Sequence, residues 1–115
     1  GAFDERLPWP AAKASCESIG FKLVSIEGAE EDRFIFESLS AEGFADTWLG
    51  LNDRATEGTF VWNDGVVLTY SNWDGGEPNN GGGNEDCGIM LMSQGRASRW
   101  DDRPCEHAYH YVCEP

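Results

Sequence analysis

Basic residues are scarce in this chain: 8 Lys and Arg stand against 21 Asp and Glu, a formal net charge of -13 over 115 residues. Nucleic acid and anionic membrane surfaces both need a basic footprint, so neither is an expected partner. No window reaches the run of about 18 apolar residues that marks a spanning helix, and membrane insertion is not expected. Residue 1 is Gly, and no basic stretch followed by an apolar run lies near it, so no signal peptide is visible. A precursor, or a longer protein with further modules, is the expected parent. Close Cys-x-x-Cys pairs are absent, which argues against structural zinc. The chain also lacks an Asn-x-Ser/Thr sequon and a continuous EF-hand pattern, and no Lys-Ser/Thr follows Gly81-Gly82-Gly83 as a phosphate loop requires.

What is present suits one domain spanning 1–115 with a real core: five Trp, six Phe and three Tyr supply its bulk. The four cysteines, Cys16, Cys87, Cys105 and Cys113, favour disulfides formed in an oxidising, extracellular compartment. Four cysteines allow three pairings, and spacing alone does not choose among them.

Trp9, Ala12, Cys16 and Ile19 recur at helical spacing, with Pro10 at an early position and Gly20 at the stop, so the spacing predicts a helix over 9–20. A second helix is expected over about 28–41. Glu30, Glu31 and Asp32 lie at its positively polarised start, and Phe34, Ile35, Ser38 and Leu39 form its inner stripe. Strand candidates follow at 21–26, 48–51, 60–62, 66–68, 89–92 and 109–113, with Asn63-Asp64-Gly65 suited to a hairpin turn. Helices ahead of short strands give an α+β pattern. The stretch 71–86 is rich in Gly, Asn and acidic residues and has too little apolar surface to offset its own ordering entropy. Such a loop is disordered or fixed by something else, and its oxygen donors make a cation the natural agent.

Those donors come in four groups: Asp53 and Glu57; Glu77, Asn79 and Asn80; Glu85 and Asp86; Asp101 and Asp102. Calcium takes six to eight oxygens in flexible geometry, so separate loops can share one ion. Crowded carboxylates without a cation repel one another. An ordinary acidic surface is the competing reading of the same composition.

The order of several motifs goes further. Trp9-x-x-Ala12-x-x-x-Cys16, Trp48-Leu49-Gly50-Leu51, Glu77-Pro78-Asn79, Asn84-Glu85-Asp86-Cys87, Trp100-Asp101-Asp102 and Tyr111-Val112-Cys113-Glu114 together resemble the C-type lectin-like domain, a calcium-dependent carbohydrate-recognition fold. The resemblance covers nearly the whole chain. It implies an α+β fold with two helices flanking short antiparallel sheets, a long calcium-binding loop region, and disulfides Cys16–Cys113 and Cys87–Cys105. On loop-entropy grounds each closure is worth roughly 3–5 kcal/mol.

The resemblance also implies one to two or more calcium ions. A ligand-facing ion would be held by Glu77, Asn79, Glu85, Asp101 and Asp102, with Pro78 in the cis form aiming the flanking side chains. A supporting ion would be held by Asp53, Glu57, Asn80, Glu85 and Asp86, fixing the Gly-rich loop. In the family, two adjacent sugar hydroxyls replace water in the calcium shell, donate hydrogen bonds to carboxylates and accept them from Asn amides. Glu-Pro-Asn resembles the version that takes mannose, glucose, N-acetylglucosamine or fucose.

One departure stands out. The family's Trp-Asn-Asp is here Trp100-Asp101-Asp102, and an ionised Asp has no N–H to offer a hydroxyl. Calcium binding survives such a change better than sugar binding does. Trp48, Trp62, Trp73 and Trp100 are expected in the core rather than stacked on sugars. His107 and His110 lack the partners of a zinc or nucleophile site, and no enzyme is expected. The expected function is calcium-dependent binding of carbohydrate on a glycoprotein, polysaccharide or cell surface, by a secreted or cell-surface adhesion module. The alternative is a calcium-stabilised module that binds protein or an extended surface such as ice.

Overall fold

The computed structural model describes residues 5–74, 86–92 and 98–115. Helix α1 (Trp9–Glu17) buries Trp9, Ala12 and Cys16, one stripe at i, i+3 and i+7. It ends earlier than the spacing predicts. Ile19 lies beyond it at 63% exposed, because the chain leaves the helix through a turn closed by Gly20 at φ +80°. Helix α2 (Ala29–Ala41) has Glu30, Glu31 and Asp32 in its first turn.

The stripe that α2 buries differs from the expected one. Asp32, Phe36 and Leu39 face inward at i, i+4 and i+7, and Ile35 packs beside them. Phe34 is 70% exposed and Ser38 is exposed too. At about 100° per residue, the rotation that turns Asp32 inward carries Phe34 to the opposite side.

The strands are β1 (Lys22–Leu23), β2 (Thr47–Asn52), β3 (Cys87–Met90), β4 (Trp100–Arg103), β5 (His110–Tyr111) and β6 (Cys113–Glu114). β1 pairs antiparallel with β6, which joins the segment after α1 to the C-terminal residues. The larger sheet has the order β4-β3-β2-β5. It is mixed rather than purely antiparallel, because β5 runs parallel to β2. The expected strands at 60–62 and 66–68 appear only as isolated bridges, Asn52–Val61 and Val61–Val67. The turn between them forms as expected, with Trp62 and Val66 bonded across it and Gly65 at φ +85°.

Both faces of the larger sheet are buried. Trp48 and Ile89 pack with α1 in one core, whereas Leu49, Leu51 and Met90 pack with α2, Trp62 and Trp100 in the other. This explains why β2 reads as a continuous apolar run rather than an alternation. Trp48, Trp62 and Trp100 lie in these cores, and Trp73 packs partly buried against them. Indole donors fasten the layers: Trp9 Nε1 donates to the Leu49 carbonyl at 2.9 Å, and Trp48 Nε1 to that of Leu7 at 2.7 Å. Cys16 is bonded to Cys113 and Cys87 to Cys105, closures spanning 97 and 18 positions.

Candidate functional site: a carboxylate cluster at one end of the sheet

Three chain segments converge at one end of the larger sheet. β2 ends at Asn52, β3 begins at Cys87 and β4 ends at Arg103, and Cys87 pairs with both Asn52 and Arg103. Antiparallel pairing therefore sets Asp53 and Asp86 opposite each other, one step beyond the ladder. Their backbones confirm it, since Asp53 N–H donates to the Asp86 carbonyl at 2.9 Å. The Cys87–Cys105 bond ties down the same end.

Glu57 reaches this pair through the turn after β2. Gly58, at φ +85°, lets the chain fold back so that its N–H donates to Asp53 Oδ2 at 2.8 Å. Asp53, Glu57 and Asp86 thus offer oxygens that all lie within 4.8 Å of one another. Asp53 is 3% exposed, and its Oδ1, like Oδ1 of Asp86, is buried with no hydrogen-bond partner. Burial above all, then the closeness of the Glu57 and Asp86 carboxylates, pushes the Asp53 carboxyl up to about 7, against the lowering effect of the Gly58 N–H. An oxygen-only donor set with two orphaned carboxylate oxygens fits a hard divalent cation such as calcium. It does not suit zinc, which prefers nitrogen and sulfur.

β4 supplies the second acidic pair, Asp101 and Asp102. The strand was not among those expected from the sequence, because its four residues, Trp-Asp-Asp-Arg, are polar apart from Trp100. Pairing with β3 overrides that, setting Asp101 opposite Ile89 and Asp102 opposite Gly88. Asp101 is 7% exposed and Asp102 fully buried. Arg103 lies on the same strand face as Asp101, two residues on, and its guanidinium pairs with Asp101 Oδ2. Asp101 Oδ1 accepts the Asp102 N–H at 2.8 Å.

The structure thus brings together three of the five residues read as a supporting set, Asp53, Glu57 and Asp86, and places Asp101 and Asp102 on β4. Glu77, Asn79, Asn80 and Glu85 lie outside the described residues, as does Pro78. His110 accepts the Ala45 N–H at 3.3 Å and packs edge-on against Phe44. Two residues missed in the sequence bear on the site. Arg103 was detectable as a cation two positions from Asp101, on one face of any strand there. Asp32 was read only as a helix-start charge, yet it is buried against Trp100.

Comparison with known proteins agrees with this architecture. A family profile of the Lectin C-type domain matches residues 5–115. The mouse low affinity immunoglobulin epsilon Fc receptor is 40% identical over 107 residues, covering 92% of this chain but only 30% of the receptor. A C-type lectin of Micrurus corallinus is 36% identical over 117 residues, covering 96% of this chain and 72% of that protein. Among solved structures, the cow C-type carbohydrate-recognition domain of CD23, determined in the presence of GlcNAc2Man3 oligosaccharide, superposes with a TM-score of 0.83 at 37% identity. That match covers 95% of this chain and 80% of the CD23 domain. With its mixed sheet, two disulfides and carboxylate cluster, the chain belongs to the C-type lectin domain family.

Proposed function

We infer that this domain binds carbohydrate in a calcium-dependent manner, as an extracellular recognition module rather than an enzyme. The observation that carries the reading is the Asp53–Glu57–Asp86 cluster with its two orphaned carboxylate oxygens, at the sheet end where β3 and β4 meet. The CD23 domain solved with an oligosaccharide present supports a glycan as the ligand class. Two disulfides suit an oxidising compartment outside the cell. No helix among the described residues is long and apolar enough to cross a membrane.

In this reading Asp53, Glu57, Asn80, Glu85 and Asp86 hold a supporting calcium, and Glu77, Asn79, Glu85, Asp101 and Asp102 a ligand-facing one. Bound there, calcium supplies coordination positions for two vicinal sugar hydroxyls. The carboxylates accept hydrogen bonds from those hydroxyls, and the Asn79 amide donates one in return. The Glu77-Pro78-Asn79 tripeptide favours mannose-type hydroxyl geometry. Asp101 contributes no N–H, and Arg103 balances its extra negative charge.

That ion pair also favours a second reading. Both Asp101 oxygens are engaged by protein donors, which suits a module that uses calcium structurally and binds protein or an extended surface. A glycan array probed in calcium and again in chelator separates the two. Chelator-sensitive binding to mannose, fucose or N-acetylglucosamine glycans is expected, and calcium uptake without any glycan signal favours the second reading.

A further inference from the structure

Asp32 sits in the first turn of α2 and is 1% exposed, a burial that carboxylates almost never reach unless paired. Here the partners are four neutral side-chain donors. Ser98 Oγ and Trp100 Nε1 donate to Oδ1 at 2.5 and 3.3 Å. Tyr70 Oη and Asn72 Nδ2 donate to Oδ2 at 2.8 and 2.9 Å. An ionised carboxylate only accepts, so one group satisfies all four donors at once.

The donors come from two segments that matter to the site. Tyr70 and Asn72 precede the stretch that carries Glu77 and Asn79, and Ser98 and Trp100 lead directly into Asp101 and Asp102. The same segments bond to each other. Trp100 N–H donates to the Asn72 carbonyl and Asp74 N–H to the Trp100 carbonyl, both at 2.8 Å, while Asn72 Nδ2 also donates to the Ser98 carbonyl at 2.6 Å. α2 thus holds, through one carboxylate, residues 70–72 against the residues that lead into Asp101 and Asp102.

The geometry points to Asp32 as a positioning residue for Asp101 and Asp102, clamping residues 70–72 to residues 98–100 at the start of β4. This rests on the ligand-facing site of the proposed function. Asp32 touches neither Asp101 nor Asp102 through any of these bonds; it acts through Trp100 and the paired backbones. Asp53, Glu57 and Asp86 are held by the β2–β3 ladder and the Gly58 turn instead. The clamp therefore bears directly on Asp101 and Asp102, and reaches the supporting set only through Asn80 and Glu85, which follow residues 70–72 in the chain.

Calorimetric calcium titrations of wild type, Asp32→Asn and Ser98→Ala test this, with Asp101→Ala and Asp53→Asn assigning the two sites. Asn at position 32 turns one acceptor into a donor facing donors. Groups that orient metal ligands typically matter 10–100-fold, so Asp32→Asn should weaken the Asp101-dependent site about tenfold or more. The Asp53-dependent site, three of whose ligands are held by the β2–β3 ladder and the Gly58 turn, should lose clearly less. Ser98→Ala keeps the carboxylate and removes one donor, giving a smaller loss at the same site; it decides alone if Asp32→Asn does not fold. Equal losses at both sites, or no loss at either, would overturn the clamp. Wild type lacking any Asp101-dependent calcium would overturn the proposed function along with it.

Discussion

Asp53 is buried beside Glu57 and Asp86, and that burial, reinforced by the two neighbours, raises its carboxyl to about 7. In an unfolded chain the same group titrates near 4. Between those values the folded protein holds the proton and the unfolded chain has released it, so raising the pH favours unfolding. In chelator, the melting temperature is expected to fall as pH rises from about 4 to about 7 through this group. Saturating calcium needs the ionised carboxylate and should abolish or reverse that slope. A calcium-free melting temperature indifferent to pH across this window, or unchanged by Asp53→Asn, would count against the assignment.

Asp101 gives a second expectation at this scale. Asp101→Asn restores an N–H donor, worth about 0.5–1.5 kcal/mol for an ordinary hydrogen bond. Mannose affinity should therefore rise by roughly two- to tenfold in a calorimetric titration. Unchanged or weaker affinity would mean that the Asp101–Arg103 pair is itself part of the binding surface. The acidic residues were legible in the sequence because they cluster at the ends of apolar segments. Asp32 was not, because a carboxylate in the first turn of a helix has a sufficient local explanation, and its four donors lie 38 to 68 positions away.

Among the elements, those with a strong local period were the legible ones. α1, α2 and β2 follow from apolar spacing, and the turn at 63–65 from its residue chemistry. β4 was missed because pairing with β3, not its own composition, makes it a strand. The inner face of α2 was misjudged for a related reason: apolar Phe34 points outward so that polar Asp32 can point inward.

Gly50 shows what the Trp-Leu-Gly-Leu motif requires. Its N–H donates to the Val24 carbonyl at 2.8 Å, and a Cβ there would lie 2.1 Å from Asn63 Nδ2. That nitrogen bridges to the Leu23 carbonyl at 2.7 Å, so Asn63 cannot yield without losing the link between the 63–65 turn and β1. Gly50→Ala is expected to cost about 1–3 kcal/mol in urea unfolding, as overpacking does in a filled core. A cost below about 0.5 kcal/mol, the range of ordinary surface changes, would show that Asn63 is not the constraint.

For the whole molecule, the larger sheet is covered on both faces, Cys16–Cys113 ties α1 to β6, and Cys87–Cys105 ties down the end of the sheet where Asp53, Glu57 and Asp86 gather. Many of the 21 acidic residues lie away from that end. Family and fold were legible through ordered motifs spread along the whole chain. Ligand identity was not, since in the proposed reading it turns on Glu77 and Asn79, which lie outside the described residues, and on Asp101.

The most direct test is a calorimetric titration of mannose into the domain, first with saturating calcium and then in excess chelator. The account predicts weak, saturable binding in calcium, as expected of a single shallow sugar site, and none in chelator. Mannose binding that persists without calcium would contradict it.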